Sequence, residues 1–163
     1  SMDKYKFAEI STRPFPSILD VENPWIFGKT GVVINVSEHE DQRVINIYKK
    51  KKINYYHFPL NEESENMGWE NILKAVSVLL NCVQNQIPAI VHCIGGNNRS
   101  PLIVECLYFV LYQEHLPDEY KGCFNHLFYN LSNGHIPFIL KEVEHSLSQL
   151  SNAITQDSFT ELM

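Results

Sequence analysis

The chain has 163 residues, a length that suits one domain with a substantial core, and its apolar fraction of 44% is ordinary for a globular protein. Its formal net charge of −6 argues against nucleic acid and anionic membranes as partners. We interpret the short basic run Lys49–Lys52 as a solvated turn, and no apolar run approaches the roughly 20 residues of a membrane span.

The chain contains four cysteines, Cys82, Cys93, Cys106 and Cys123, and no two of them form a C-x-x-C pair. A zinc site is therefore not expected. A disulfide framework is not expected either in a chain of this size with no secretory signal. We expect a reducing, cytoplasmic location, in which a cysteine can act as a nucleophile.

The first part of the chain predicts two clear strands. Residues 3–29 are predicted to be irregular with one or two short strands, and Trp25–Phe27 to form a helical turn against the core. The expected core contacts in this part are Phe7, Ile10, Ile18 and Leu19. Gly31–Val36 and Ile53–Leu60 are predicted strands, the first of them covered on both faces because it is almost continuously apolar. Between them, Val44–Tyr48 fits either a helix or a strand.

Helices dominate the rest of the chain. Apolar residues from Trp69 to Val83 recur at helical spacing, which indicates an amphipathic helix, and Pro88 starts a further strand. Three more helices are predicted at Leu102–Tyr112, Asp118–Leu131 and Ile139–Leu150. This alternation predicts an α/β fold with a central, mostly parallel sheet flanked by helices. We expect a single domain over residues 3–151 and a flexible tail over residues 152–163.

A strand, a glycine-containing loop and a helix start follow one another between Ile90 and Pro101. The backbone N–H groups of such a loop and the positive end of the helix dipole converge on one point, which makes an anion site. Cys93 begins this loop, and a thiol beside an arginine at a helix N-terminus is acidified. We therefore predict a Cys93 thiolate nucleophile, with Arg99 binding two phosphate oxygens and Ser100 hydrogen-bonded to the sulfur.

The order His92-Cys93, five residues, Arg99-Ser100 resembles the signature of the cysteine-dependent protein tyrosine phosphatases, and Gly96 occupies the usual glycine position. The whole pattern is similar to the compact, dual-specificity type of this superfamily. The resemblance implies that Cys93 attacks phosphorus and that His92 orients the loop and supports the thiolate. The phosphate-binding residues that it implies are Ile94, Gly95, Gly96, Asn97, Asn98 and Arg99.

The resemblance also implies the reaction and the substrates. The expected activity is hydrolysis of phosphotyrosine, phosphoserine/threonine or both through a phosphocysteine intermediate, without metal or organic cofactor. The expected partner is a phosphorylated protein or peptide, and the expected state is a monomer. Lysines inside the loop, found in phosphoinositide-directed members, are absent here. Asn98 also occurs in relatives that act on RNA 5′-triphosphate ends, but the low basic content weighs against that class.

The general acid departs from the family pattern. The family uses an aspartate on a loop that should follow Pro59, and this loop contains none. Counting back without gaps places Asn61 at the acid position, whereas aligning on the proline places Glu62 there. Asn61 cannot donate a proton as an acid, so three alternatives stay open: Glu62, Glu63, or no side chain of this loop.

Two other functions compete with an active phosphatase. A catalytically impaired module that binds phosphorylated partners would explain the missing aspartate, although it would not need the thiol. A sulfur-transfer or arsenate-reducing protein would use a second thiol to attack Cys93. Nothing in the spacing places Cys82, Cys106 or Cys123 in that position, and we expect them to pack in the core.

Overall fold

The structure, a computed structural model, describes residues 9–61, 68–96, 98–113, 145–150 and 152. Within these residues, four strands form one sheet. In chain order they are β1 (Ile10–Arg13), β2 (Val32–Asn35), β3 (Asn54–His57) and β4 (Ala89–His92). Their order across the sheet is β1-β4-β2-β3, and every neighbouring pair is parallel. The predicted α/β fold with a mostly parallel sheet is confirmed.

Five helices are defined in the same part of the chain. They are α1 (Ile18–Glu22), α2 (Pro24–Phe27), α3 (Gln42–Lys50), α4 (Trp69–Asn85) and α5 (Arg99–Tyr112). Residues 145–150 and 152 are also helical. Val44–Tyr48, which the sequence left open, belongs to α3, and Asp41 caps this helix by accepting a hydrogen bond from the Arg43 N–H. Within the described part of the chain, none of the helices has the length and apolar character that a membrane crossing requires.

Apolar clusters cover both faces of the sheet. Because successive residues of a strand point to opposite faces, Ala89 and Val91 of β4 join the cluster built with α4 and α5. Ile90, between them, joins a second cluster that contains residues of α1 and α3. All residues of β2 are buried, as predicted for a strand covered on both faces, and all residues of β4 are buried as well. The amphipathic pattern of α4 is confirmed too, since its predicted inward residues Ile72, Val76, Leu79, Leu80 and Val83 are buried.

The amino-terminal part is more helical than predicted. Ser17 and Asp20 form a capping box, in which each side chain accepts a hydrogen bond from the other's backbone N–H, and α1 follows. With five residues, α1 is too short for a periodic apolar pattern to reveal it. Leu19 was expected in the core but is 81% exposed, so that prediction is wrong. In α2, Phe27 is buried as predicted, whereas Trp25 is 95% exposed.

Some predictions fall outside the described residues. They concern Phe7, the helix at residues 118–131, the first part of the helix at residues 139–150, Cys123, and the tail after residue 152. The end of the last helix is described, and its Leu147 is buried in the same cluster as α4 and α5. The single domain over residues 3–151 stays a prediction.

The exposure of Leu19 yields a matched test of the packing. Leu79 of α4 is fully buried between the helix and the sheet. We expect Leu79→Ala to lower the free energy of unfolding by about 2–5 kcal/mol, because the truncation leaves a cavity. The control Leu19→Ala should change it by less than about 0.5 kcal/mol. Urea unfolding measures both, and equal losses would contradict the surface position of Leu19.

Candidate active site

The last residues of the four strands form one row across the sheet: Arg13, His92, Asn35 and His57 are register partners in that order. Cys93 directly follows β4, which lies between β1 and β2. In a parallel sheet the segments that follow the strands meet at this edge, where ligands bind. Cys93–Asn98, named the phosphate loop below, leads from the edge into α5.

Hydrogen bonds converge on the Cys93 sulfur, and the residue is only 2% exposed. The Gly96 N–H donates to Sγ at 3.2 Å, the Ser100 hydroxyl lies 3.3 Å from Sγ, and the Ser100 N–H also bonds to the sulfur. Gly96 makes its contact with a φ of +75°, in the left-handed region that glycine tolerates best. Ser100 lies in the first turn of α5, so the positive end of the helix dipole faces the sulfur.

These contacts decide the ionisation of the Cys93 thiol. Burial alone would raise its pKa, because it removes water from the thiolate. The Ser100 hydroxyl opposes burial, together with the backbone N–H groups of Ser100 and Gly96 and the charge of Arg99, and the net effect is a lowered pKa. By contrast, burial raises the pKa of the Cys82 thiol in the apolar core to about 11.

His92 forms a hydrogen bond with the backbone of Cys93 through its ring. Its ring is buried, and Nδ1 lies 3.2 Å from the carbonyl oxygen of Cys93. Since a carbonyl oxygen only accepts, Nδ1 carries the hydrogen of this bond. Burial lowers the pKa of His92 to about 4, so the ring is neutral at neutral pH. This geometry fits a residue that orients the loop and does not fit a general base.

Arg99 opens α5, and its side chain reaches the segment that follows β3. Its Nη1 donates to the carbonyl oxygen of Leu60 at 3.1 Å. Leu60 is fully buried, and its own N–H donates to the Val36 carbonyl at 3.0 Å. The guanidinium is thereby held in place near Cys93, whose pKa its charge helps to lower. The segment with Glu62 and Glu63 begins two residues after Leu60 and lies outside the described residues.

A polar network that the sequence analysis missed braces the loop after β2. The Asn35 side chain is buried, and its Oδ1 accepts from the Ser37 hydroxyl at 2.7 Å and the Ser37 N–H at 2.9 Å. Its Nδ2 donates to the His39 carbonyl at 2.7 Å. His57 lies between the Ser37 carbonyl, at 2.8 Å, and the Glu40 carboxylate, at 3.1 Å. The sequence feature that could have revealed this network is an asparagine at the end of an apolar strand, followed two residues later by a serine.

The structure brings half of the predicted site residues together at the Cys93 sulfur. The residues at or around the sulfur are His92, Cys93, Gly96, Arg99 and Ser100. Ile94, Gly95 and Asn98 are exposed in the phosphate loop, while Asn97, Glu62 and Glu63 lie outside the described residues. Cys82 and Cys106 are buried in the apolar cluster, as predicted. Over the described ranges, no group of three or more His, Cys, Asp or Glu side chains is arranged to hold a metal ion.

Residues 28–129, more than half of the chain, match the family model of the dual specificity phosphatase catalytic domain. The chain therefore belongs to the dual specificity phosphatase family, whose members are cysteine-dependent phosphatases. No curated protein sequence matches the chain.

Solved phosphatase structures share this fold. PTPMT1 aligns with a TM-score of 0.63 at 16% sequence identity, over 90% of this chain and 96% of that chain. Tk-PTP in its active form aligns with a TM-score of 0.65 at 15% identity, over 83% and 91%. The core catalytic domain of the PP-IP phosphatase SIW14 from S. cerevisiae, in complex with citrate, aligns with a TM-score of 0.54 at 16% identity, over 94% and 85%. At these identities the likeness shows the fold alone.

The Ser100 hydroxyl provides a test of how the thiol is acidified. We expect Ser100→Ala to raise the pKa of Cys93, because the thiolate loses a hydrogen-bond donor. The thiolate is the form that reacts with iodoacetate and it is populated above the pKa, so the midpoint of alkylation against pH should move to higher pH. Cys93→Ser sets the background from other thiols, and Ser77→Ala on the exposed face of α4 is the matched control. An unmoved midpoint in Ser100→Ala would contradict this assignment.

Proposed function

We propose that the chain hydrolyses phosphotyrosine, phosphoserine/threonine or both in proteins or peptides, through a phosphocysteine intermediate. The observation that carries this proposal is that the pKa of the Cys93 thiol is lowered although the residue is buried. Its donors come from an anion-binding loop and a helix start, which are also suited to bind the phosphate group. The nucleophilic sulfur and the phosphate group of the substrate would therefore lie at the same anion-binding site.

The reaction takes two steps. In the first, the Cys93 thiolate attacks phosphorus, the sulfur–phosphorus bond forms, and the bond to the leaving oxygen breaks as this oxygen takes a proton from an acid. Arg99 binds two phosphate oxygens with its planar fork, and loop N–H groups bind the others. In the second step, water attacks phosphorus and gives a proton to the deprotonated acid, the sulfur–phosphorus bond breaks, and the Ser100 hydroxyl donates a hydrogen bond to the departing thiolate.

The acid is proposed to come from the loop after β3, with Glu62 as the first choice and Glu63 as the second. Support for this comes from the hydrogen bond between Arg99 and the Leu60 carbonyl, since it places the start of that loop beside the phosphate-binding guanidinium. A glutamate there must hold its proton at working pH, which requires burial against the site.

Proteins or peptides suit this site better than substrates with several phosphate groups. SIW14 is a PP-IP phosphatase, but the phosphate loop here carries no lysine or arginine between Cys93 and Arg99. A second phosphate group would therefore find no additional side-chain cation within this loop. We propose that the chain acts as a monomer on phosphorylated proteins, without a metal or an organic cofactor. We propose the cytoplasm as its location, because a reducing environment keeps the thiol active. Neither nucleic acid nor a membrane is proposed as a partner.

A second candidate is a module that recognises phosphorylated partners without turnover. The observation that favours it is the absence of any aspartate between Asp41 and Asp118, because the loop after β3 then lacks the family's usual acid. Against it stand the contacts of the Cys93 sulfur with Gly96 and Ser100, since a binding module does not need an ionised thiol.

Hydrolysis of para-nitrophenyl phosphate by the native chain and by Cys93→Ser separates the two candidates. We expect steady turnover by the native chain and only the uncatalysed rate with Cys93→Ser, because a serine hydroxyl is not ionised at neutral pH. Cys82→Ala, at a buried thiol outside the site, is the control and should keep its activity. No turnover by the native chain, together with retained binding of a phosphopeptide, would favour the recognition module.

The pH dependence of the same reaction tests Glu62. A general acid works only while protonated, so the rate should decline as pH rises through its pKa. We expect Glu62→Gln to remove this decline and to lower kcat on phosphoserine peptides by about 10²–10⁴-fold, with a smaller loss on aryl phosphates. Glu22→Gln, at an exposed position in α1, is the matched control. An unchanged profile would exclude Glu62 and leave Glu63 or no side chain of this loop as the alternatives.

A further inference from the structure

The segment Arg13–Phe15 follows β1 and lies against the phosphate loop. The Phe15 N–H donates to the Ile94 carbonyl at 2.9 Å. The Phe15 ring meets the His92 ring edge-on, with centroids 4.8 Å apart and an interplanar angle of 76°. The segment therefore contacts the residue before the nucleophile and the residue after it.

A third contact lies at Gly96. A Cβ on this glycine would come within 2.8 Å of the Pro14 nitrogen and 2.9 Å of the Arg13 carbonyl carbon, so the loop rests directly on the Arg13–Pro14 peptide. Gly96 is also the residue whose N–H donates to the Cys93 sulfur. The same residue thus touches the segment with its α-carbon and the nucleophile with its N–H.

The segment is stiff enough to act as a support. Arg13 precedes Pro14 and Phe15 precedes Pro16, and a residue before proline is restricted to extended conformations. Proline has no N–H, so the close approach of Gly96 leaves no backbone donor unpaired at residue 14. Arg13 is held further by Asp20, at 3.6 Å, and by the Phe27 ring, whose centroid lies 5.6 Å from the guanidinium carbon.

We propose that Phe15 is a positioning residue for the phosphate loop, and that Arg13–Phe15 holds this loop in the curled form in which the Gly96 N–H reaches the Cys93 sulfur. Loop N–H groups that converge on one point repel one another, so an external support helps to preserve their arrangement before substrate binds. Residues 13–15 precede the range 28–129 that matches the family domain. The inference rests on Cys93 acting as the thiolate of the proposed function.

Removal of the Phe15 ring should act on the sulfur through His92 and the loop. Phe15→Ala keeps the backbone N–H to Ile94 but frees the His92 ring from its edge contact. The loop then samples forms in which Gly96 is too far from the sulfur to donate. A thiolate with fewer donors is less favoured, so alkylation should require higher pH.

The experiment measures the pH dependence of Cys93 alkylation by iodoacetate, with Cys93→Ser as background. We expect the midpoint for Phe15→Ala to rise, in the same direction as for Ser100→Ala, and kcat/KM on para-nitrophenyl phosphate to fall by roughly 10–10²-fold. Phe15→Tyr retains the ring and should keep the native midpoint. Trp25→Ala removes an aromatic side chain that is 95% exposed on α2 and should also leave it unchanged.

A folded Phe15→Ala variant with the native midpoint would overturn the proposal, even if its melting temperature were lower, because Phe15 would then only contribute packing. If Phe15→Ala does not fold, Phe15→Leu replaces it, because leucine keeps most of the apolar volume without the ring edge. A raised alkylation midpoint would then support the proposal, and a native midpoint would overturn it. Alkylation needs no phosphate ester. A native chain that alkylates readily but shows no turnover would therefore count against the phosphatase proposal and leave the role of Phe15 to be decided by the midpoints.

Discussion

A negative charge on a buried sulfur is the constraint on which the site depends. Cys93 is almost fully buried, and a thiolate without water is unfavourable unless donors are already aimed at it. Here Ser100 contributes a hydroxyl and an N–H from the start of α5, Gly96 contributes an N–H from the loop, and Arg99 contributes a full charge. Cys82 shows the opposite case, since the same burial raises its pKa in the apolar core.

The parallel sheet allows these donors to meet, because segments that follow different strands arrive at one edge. β4 lies between β1 and β2 and delivers Cys93. The residues after β1 support the loop through Phe15, the residues after β2 are braced by Asn35, and the residues after β3 hold Arg99 through the Leu60 carbonyl. Each strand of the sheet is therefore followed by a segment that is held in place at the edge where Cys93 lies.

The residues around the Cys93 sulfur were predictable because they occupy one short window of the sequence, from His92 to Ser100. Helix α4 was predictable because its apolar pattern extends along a helix of 17 residues. The supports of the site were not predictable. The contact between Phe15 and His92 joins the segment after β1 to β4, which is distant in sequence, and no local pattern encodes which strands are neighbours. In the sequence, Pro14 and Pro16 indicate only that no long element spans this part of the chain, although the rigidity that interrupts an element also makes the segment a firm support.

In the proposed mechanism the thiol must lose its proton, whereas the acid must keep one at the same pH. This difference affects which substrates suit the site. The thiolate is prepared by short-range contacts that exist before any ligand arrives. An acid from Glu62 or Glu63 must instead keep a proton that a solvated glutamate loses well below neutral pH. Because the phenol of tyrosine is far more acidic than the alcohol of serine, phosphotyrosine depends less on such an acid. Under the proposed mechanism, tyrosine and serine esters therefore differ in how much they need the acid and not in how the thiolate attacks.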